Sequence, residues 1–283
     1  MNRLLDRRTM VAGAAFAPAT LAFARGMPPR RIVSLNACLD AMVVALADRR
    51  QIAALSHYAR DPVGSTVAEV AKTLPYTRET AEEVINLRAD LVLASRHTGA
   101  STRNALARAG LSVESFATPK SVAQSLEQVR LIADLVGHPA RGEVLVRRIE
   151  AALAAAAPPP GWRAPSALIF QPNGFAAGPG TLADEMMRRA GFENAARRYG
   201  LKAWGNVPLE HLLADPPQVL LIGEPAPGAR RWADRVMTHP ALRGRGVGIR
   251  QAMLPERYLY CGGPVLIAAA SALQAARRTL MGS

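Results

Sequence analysis

Residues 122–157 read VAQSLEQVRLIADLVGHPARGEVLVRRIEAALAAAA, and the rest of the chain is organised around this stretch. Its first half places apolar side chains three or four residues apart, which keeps them on one face of a helix. These side chains are Val122, Leu126, Val129, Ala133 and Val136. Gly137 follows them, and glycine readily takes the left-handed conformation that ends a helix. The pattern therefore predicts a helix that stops at Gly137.

A second helix is predicted to begin at Pro139, because proline fits the first turn of a helix, where its missing N–H costs nothing. Glu143 and Arg147 are four residues apart and are expected to pair on its solvent side. From Pro139 to Ala157 this helix would be roughly 28 Å long at 1.5 Å per residue. A helix of that length between two halves of similar pattern predicts a connector between two lobes.

Short β-rich runs alternate with helical segments on both sides of this connector. The predicted strands are 31–35, 52–55, 91–94 and 112–116 before it, and 167–170, 219–222 and 248–253 after it. Residues 62–77 have the composition of a loop, and further helices are predicted over 79–87 and 230–236. This alternation predicts an α/β protein with two Rossmann-like lobes, whose mostly parallel sheets are joined by one long α-helix. Because ligands bind beyond the carboxyl ends of such strands, two facing lobes would form a cleft.

The N-terminus has the parts of an export signal. Arginines precede an apolar run over residues 10–23, which is too short to span a membrane and ends in Ala-Phe-Ala. Residues 6–11, DRRTMV, also resemble a twin-arginine signal, although Met10 stands where Phe or Leu is commoner. We expect residues 1–24 to be removed by cleavage after about Ala24, which would leave a periplasmic protein.

The formal net charge is +13, and it comes mostly from arginine. A surface this basic is compatible with nucleic-acid binding, but the arginines are scattered and no patch interleaves them with aromatic residues. A GC-rich genome that favours arginine would explain the charge without a function, whereas attraction of anionic ligands is the functional explanation. We expect a monomer that does not bind nucleic acid.

Common catalytic and nucleotide-binding motifs are missing from the sequence. It contains no G-x-S-x-G elbow, P-loop or H-E-x-x-H pattern. Residues 178–183, GPGTLA, fit the dinucleotide pattern G-x-G-x-x-A, but they begin eight residues after the predicted strand instead of directly at its end. We expect a ligand-facing loop or a plain turn there, and no bound cofactor.

Ligand-facing side chains are expected where the predicted strands end. In the first lobe these are Asn36, Cys38, His57, Tyr58, Arg96 and His97. In the second lobe they are Gln171, Asn173, Phe175, Trp204, Glu224, Tyr260 and Cys261. Any one of them has a structural explanation, as a solvated loop residue or a small core residue. Their recurrence at corresponding strand ends indicates a ligand-binding surface.

The two cysteines allow three interpretations. An even number of cysteines in an exported protein suggests a disulfide, and a Cys38–Cys261 bridge would tie the two lobes together across the cleft. Alternatively, the position of Cys38 near a helix N-terminus should lower its pKa and favour a ligand-facing thiolate. Both cysteines could also be ordinary buried thiols. The sequence leaves these alternatives open.

Several segments together resemble the periplasmic binding proteins of ABC importers for vitamin B12, ferric siderophores and heme. The resemblance covers essentially the whole mature chain, and the order and spacing of the segments are more specific than any one of them. They are 31-RIVSL-35, 87-LRADLVL-93, 178-GPGTL-182, 190-AGFEN-194, 216-PPQVLL-221 and 261-CGGP-264, the last resembling the family's final cleft loop.

The resemblance implies an N-terminal lobe over residues 25–137, a linking helix over 138–160 and a C-terminal lobe over 161–283. It implies that a small metal chelate binds between the lobes and is delivered to an ABC permease, and through the permease to its ATPase. It also implies one exposed acidic residue on each lobe that pairs with permease arginines. By their positions before two buried strands, these residues would be Glu82 and Glu210.

The expected function is therefore a non-enzymatic binding protein for a ferric siderophore or a cobalamin-type chelate. Axial ligation of cobalt or heme iron by His57, His97 or a thiolate is compatible with the sequence. One alternative is a binding protein for a bare metal ion held by cysteine and histidine. Another is a secreted metal-dependent or thiol enzyme. The sequence does not choose among the chelates.

Overall fold

The structure is a computed structural model that describes residues 27–171, 174–223 and 249–281. Within these ranges, the first sheet has five parallel strands in the order β3-β2-β1-β4-β5. The strands are β1 (Ile32–Ser34), β2 (Ile52–Ser56), β3 (Tyr76–Thr77), β4 (Leu91–Ser95) and β5 (Val113–Phe116). The helices between them are α1 (Ala37–Leu46), α2 (Ala68–Ala71), α3 (Ala81–Asn86) and α4 (Ala100–Arg108).

The second sheet follows the connector and has the order β11-β10-β6-β7-β9, with β8 pairing with β6. Its strands are β6 (Ser166–Phe170), β7 (Phe175–Ala176), β8 (Glu193–Asn194), β9 (Gly205–Asn206), β10 (Val219–Ile222) and β11 (Arg250–Met253). The helices are α7 (Leu182–Arg189), α8 (Leu209–Ala214) and α9 (Val265–Met281). The pairs among β6, β8, β10 and β11 are parallel, whereas β7 pairs antiparallel with β6 and β9. The predicted α/β architecture with mostly parallel sheets is confirmed.

The connector consists of α5 (Val122–Leu135) and α6 (Pro139–Ala156). Gly137 separates them with a φ of +86°, a left-handed conformation that glycine adopts without a side-chain clash. The predicted pairing of Glu143 with Arg147 is wrong. Arg130 on the facing helix α5 donates to Glu143 at 2.8 Å, so the carboxylate is used between the two helices instead of along one of them.

One hydrophobic core runs through both lobes and the connector. It joins Ile32 on β1 and Met42 on α1 to Ile149 on α6, and continues to Ile169 on β6 and Leu273 on α9. Helix α9 packs along α6. The two sheets are therefore attached to a common apolar layer.

Polar and covalent contacts add to this junction near residues 261–264. The amide of Gly263 donates to the Ser125 hydroxyl on α5 at 2.7 Å. Gly263 has a φ of +63°, and a Cβ there would lie 2.3 Å from the terminal carbon of Met42. The 261-CGGP-264 loop therefore packs into the first lobe, and glycine is required because the loop approaches α1 so closely.

The structure differs from the sequence predictions mainly in short segments. The expected loop over 62–77 contains α2 and β3, and the helix expected from Glu79 begins at Ala81. Glu79 has a φ of +62°, which is incompatible with a right-handed helix. The antiparallel strands β7 and β9 were not predicted. The helix expected at 230–236 lies outside the described residues. Within the described residues, no helix is both long and apolar enough to cross a membrane.

Candidate functional site

The carboxyl end of β1 meets the second lobe at a disulfide. Cys38, in the first turn of α1, is bonded to Cys261, which precedes α9, with 5.0 Å between their Cα atoms. Cys261 is buried, and it packs with Ala41 and Val265. The interpretation of the two cysteines as ligand-facing thiols, one of them a thiolate, is therefore wrong, because both sulfurs are used in the bond.

Three aromatic side chains of the second lobe form a row next to the disulfide. The ring of Trp204 stacks on Phe175 at a centroid distance of 5.2 Å and an angle of 14°. Its other neighbour is Tyr260, at 5.1 Å and 40°. Tyr260 precedes Cys261, so this aromatic row begins where the lobes are bonded to each other. Each of the three side chains is partly exposed. The row therefore offers an apolar surface for a flat ligand.

Burial also changes the pKa of the tyrosine at one end of the row. It raises the pKa of Tyr260 to about 12. A phenol of ordinary pKa is already protonated at neutral pH, and this shift moves it further from ionisation, so the aromatic row carries no negative charge of its own.

His57 is held in a fixed orientation where β2 ends. Its Nδ1 lies 2.8 Å from Glu79 Oε1, and its backbone N–H donates to the same oxygen at 3.3 Å. Its ring lies against that of Tyr58, at a centroid distance of 3.9 Å. The His57 side chain is 38% exposed, so the part of the ring that Glu79 does not contact can be reached by a ligand.

A buried carboxyl group supports the residue before this histidine. Asp40 on α1 accepts from the backbone N–H of Ser56 at 3.0 Å and from its hydroxyl at 2.5 Å. Burial, opposed by hydrogen bonds from Ser34 and Ser56, raises the pKa of Asp40 to about 7. These bonds fix the end of β2 and thereby the start of the segment that carries His57.

The remaining predicted site residues of the first lobe differ in burial and in hydrogen bonding. Asn36 caps α1, and its side-chain oxygen accepts from the Cys38 amide at 2.9 Å. Tyr58, Arg96 and His97 are exposed. Arg96 follows β4, and its guanidinium adds positive charge to the edge at which His57 lies. Within the described residues, His97 has no carboxylate partner.

In the second lobe, Gln171 directly follows β6 and is 2% exposed. Neither atom of its side-chain amide has a hydrogen-bond partner in the described part of the chain. A buried amide without a partner is unfavourable by about 1–3 kcal/mol, so partners for Gln171 are expected from a ligand, from water or from residues outside the described ranges. Asn173 and Glu224 lie outside the described residues.

The two predicted docking residues occupy similar positions. Glu82 lies in the first turn of α3, before strand β4, and Glu210 lies in the first turn of α8, before strand β10. Both are exposed, and neither forms an ion pair within the described residues. Each lobe thus presents one acidic side chain at an equivalent point of its βα pattern.

Sequence reasoning missed two residues that shape the site. Glu79 was assigned to a helix, and nothing in the sequence indicated its left-handed backbone or its contact with His57. Asp40 did carry a signal, because it is an acidic residue within the otherwise apolar segment 37-ACLDAMVVAL-46.

A site for a bare metal ion was also tested against the structure. Across residues 27–171, 174–223 and 249–281, no three side chains of histidine, cysteine, aspartate or glutamate come together as a metal site. The disulfide removes both cysteines as ligands. The described residues give no support to the interpretation that cysteine and histidine hold a bare ion.

Comparison with known proteins places this geometry in a family. The profile of the family described as "Periplasmic binding protein" matches residues 32–245, so the chain belongs to that family. Proteins of this family bind substrates and are not enzymes; they bind small chelates and work with ABC permeases. A cobalamin-binding protein of Halobacterium salinarum is 26% identical over 200 residues, which are 69% of this chain. The chain spans about half of that relative, or 54% of its length.

Solved structures agree with the family assignment. The periplasmic heme-binding protein RhuT of Roseiflexus sp. RS-1, in its apo form, is 27% identical with a TM-score of 0.70, over 87% of this chain and 98% of that one. The heme-binding protein BhuT, in complex with two hemes, is 25% identical with a TM-score of 0.71 over the same shares. The vitamin B12-binding protein BtuF of Vibrio cholerae shares the fold, at 16% identity and a TM-score of 0.65 over 90% of this chain and 99% of that one.

Proposed function

We propose that this protein is the periplasmic component of an ABC importer and that it captures a flat, macrocyclic metal chelate between its two lobes. The observation that carries this proposal is the aromatic row, in which Trp204 lies between Phe175 and Tyr260. Stacked aromatic side chains favour a planar ligand, because they cover its face and remove it from water. The heme-binding and cobalamin-binding relatives support a ligand of this class.

Charge at the cleft edge favours an anionic ligand. Arg96 is exposed at the end of β4, and the chain as a whole has a net charge of +13. A macrocycle with carboxylate or phosphate substituents would be attracted to such a surface.

A ferric siderophore is the second candidate. The exposed pair Tyr58 and Arg96 favours it, because anionic siderophores are bound through such side chains. It makes less use of the aromatic row, because an iron centre wrapped in chelating arms presents no large flat face.

A fluorescence titration tests the ligand class. Trp162→Phe/Trp232→Phe leaves Trp204 as the only tryptophan of the chain. This variant is titrated with hemin, cyanocobalamin and a panel of ferric siderophores, with free tryptophan as the control for inner-filter quenching. Saturable quenching with a submicromolar Kd for hemin or cobalamin supports the proposal. Quenching by siderophores alone transfers it to the second candidate, and no response to any ligand contradicts both.

Delivery is proposed to use Glu82 and Glu210 as contacts for arginines of the permease. Their exposure, their lack of ion pairs among the described residues and their matching positions on the two lobes support this role. Glu82→Arg/Glu210→Arg should abolish uptake into cells while the Kd for the chelate stays unchanged. The matched control is Glu127→Arg/Glu150→Arg, which reverses two exposed charges on the connector. Equal loss of uptake in both variants, or loss of chelate affinity in the first, would contradict the assignment.

Export to the periplasm is proposed from residues 1–24. Expression of the full chain should yield a periplasmic protein that begins near Arg25, and Arg7→Lys/Arg8→Lys should retain it in the cytoplasm if the twin-arginine route is used. N-terminal sequencing of the periplasmic fraction measures the first result. A protein retained at full length in the cytoplasm would contradict export.

A further inference from the structure

We propose that a groove between helices α1, α6 and α9 binds the anion of a long-chain fatty acid. The groove has a volume of about 650 Å³. The described residues that line it include neither His57 nor a member of the aromatic row. This second site is therefore separate from the residues on which the proposed function depends, and its occupant is a different class of ligand.

The walls of the groove are apolar and come from both lobes and the connector. Val44 lies on α1, Val144 on α6 and Ile267 on α9. All three are at least partly exposed, and Val144 is 47% exposed. Ala45 on α1 and Ala268 on α9 have small side chains, which leave the space between the helices open. Small-molecule sites are mostly apolar concavities of about 300–1,000 Å³, and the groove falls within that range.

The groove is positively charged. Arg141 and Arg148 line it from α6, and none of the described lining residues is acidic. The guanidinium of Arg141 is already paired, because it donates to Asp48 at 2.6 Å. Arg148 is exposed and has no ion pair or hydrogen bond within the described residues. One cation in an otherwise apolar groove is thus left for a ligand.

The helices around Arg148 supply no acid that could pair with it. On a helix, the usual partners of an arginine are the side chains three and four residues away. For Arg148 these are Val144, Leu145, Ala151 and Ala152. Helix α9 contains no Asp or Glu over its whole length. The guanidinium is therefore available to an anion from outside, and a carboxylate fits its two parallel N–H groups.

The volume favours a single acyl chain over a peptide helix. An α-helix is about 10 Å across, so the groove would hold about 8 Å of its length, roughly one and a half turns. A fatty-acid anion uses both features of the groove, with its carboxylate on Arg148 and its chain along Val144 and Ile267. A ligand with several charges would leave all but one of them without a partner among the described lining residues.

The test is isothermal titration calorimetry of the purified protein with dodecanoate below its critical micelle concentration. We expect one dodecanoate to bind with a micromolar Kd. Octanoate should bind about 50-fold more weakly or worse, because each buried methylene contributes about fourfold to the affinity. Dodecanol has the same chain without the charge and should bind about tenfold more weakly than dodecanoate.

Two substitutions test the charge and the apolar wall. Arg148→Gln should weaken dodecanoate about tenfold and leave dodecanol unchanged. Arg147→Gln is its matched control, since Arg147 is the neighbouring exposed arginine and does not line the groove. Val144→Glu places a carboxylate in the groove, four residues from Arg148, and should abolish dodecanoate binding. Leu131→Glu, at a 52% exposed position on α5, is the control for that change. Circular dichroism establishes that each variant is folded.

Several results would overturn the inference. Equal dodecanoate affinity of Arg148→Gln and the wild type would show that the arginine does not bind the carboxylate. Loss of dodecanoate binding in Trp204→Ala would move the chain to the aromatic row. If dodecanoate does not bind, binding to phosphatidylglycerol vesicles would assign the groove to a membrane surface, and a dimer abolished by Val144→Glu would assign it to a second copy of the chain.

The same variants separate this inference from the proposed function. Arg148→Gln should keep the wild-type affinity for hemin, because Arg148 lies outside the aromatic row. Trp204→Ala should keep the wild-type affinity for dodecanoate. Failure of dodecanoate binding thus leaves the chelate proposal intact, and failure of hemin, cobalamin and siderophore binding leaves the groove to be decided by dodecanoate alone.

Discussion

The candidate ligand-binding residues of the two lobes differ in their chemistry. In the first lobe, His57 is held by polar contacts, with Asp40 fixing the end of β2 and Glu79 fixing the ring. In the second lobe, Phe175 and Trp204 belong to an apolar row with no charge of its own. Under the proposed function, the imidazole of His57 would respond to the metal of a chelate, whereas the aromatic row would add contact area for any flat ligand.

The largest expected effect comes from removing the Cys38–Cys261 disulfide, which bonds the two lobes to each other. Cys38→Ala/Cys261→Ala should lower the free energy of unfolding by about 2–5 kcal/mol, because the bridge closes a very long loop of the unfolded chain. Chemical denaturation measures the loss, and solution scattering measures whether the lobes separate. Alkylation of the unreduced wild-type protein should label neither cysteine. Full labelling, or a double variant of unchanged stability, would contradict the bridge.

Solution scattering of the wild-type protein also measures how far the cleft closes. With α6, the shared core and the disulfide intact, the wild-type protein should close by a few degrees at most when it binds a ligand, because the described residues join the lobes through a helix and a common core instead of a flexible hinge. Apo and ligand-bound scattering profiles should therefore be nearly the same. Profiles that differ strongly would contradict a rigid connector.

The next effect is the pH dependence of stability that the buried carboxyl group of Asp40 causes. Burial raises the pKa of Asp40 from its ordinary 3.8 to about 7, so the folded protein keeps a proton that the unfolded chain releases between these values. The contribution of Asp40 to stability is therefore complete below about pH 4 and is lost as the pH rises through about 7. Asp40→Asn removes this titration but can keep both bonds to Ser56. Denaturation from pH 4 to 8 should show the wild-type protein losing about 2–4 kcal/mol relative to the variant. Parallel profiles would contradict a buried, protonated Asp40.

The smallest expected effect concerns the aromatic row, and it is measured with one ligand that contains a metal and one that does not. Trp204→Ala should weaken the binding of iron(III) protoporphyrin and of metal-free protoporphyrin equally, by about 10–100-fold, because lost stacking does not depend on the metal. Trp162→Phe is the matched control. Trp162 donates to Gly191 O at 2.7 Å, outside the aromatic row, and its loss should leave both affinities unchanged. A loss of affinity confined to the iron form would contradict stacking that is independent of the metal.

The sequence predicted the long-range order of the chain well. The apolar spacing over 122–157, the stop at Gly137 and the start at Pro139 determine α5 and α6 almost to the residue. The buried strands β4, β6 and β10 were predicted for the same reason, since a continuous apolar run between helices has few alternatives. Such elements depend on local pattern, and local pattern is what a sequence displays.

The site was predicted less completely, because its geometry depends on contacts between distant segments. His57 and Trp204 were expected from their positions at strand ends. The partner Glu79 was not, because its left-handed backbone has no sequence signature. The Glu79 amide donates to the Thr77 hydroxyl, which in turn donates to Glu83. The pairing of Cys38 with Cys261 was also left open, because two cysteines 223 residues apart become neighbours only through the fold.

The central claim is that His57 and the aromatic row contact the same metal chelate. A pair of ligands tests it most directly. Wild-type protein is titrated with iron(III) protoporphyrin and with metal-free protoporphyrin, which share the planar ring and its two propionate groups and differ at the ring centre, where iron(III) replaces two protons. We expect both to bind to the aromatic row, and the iron form to bind at least about tenfold tighter, because only iron accepts His57. Equal affinities for the two, or no binding of either, would contradict the claim.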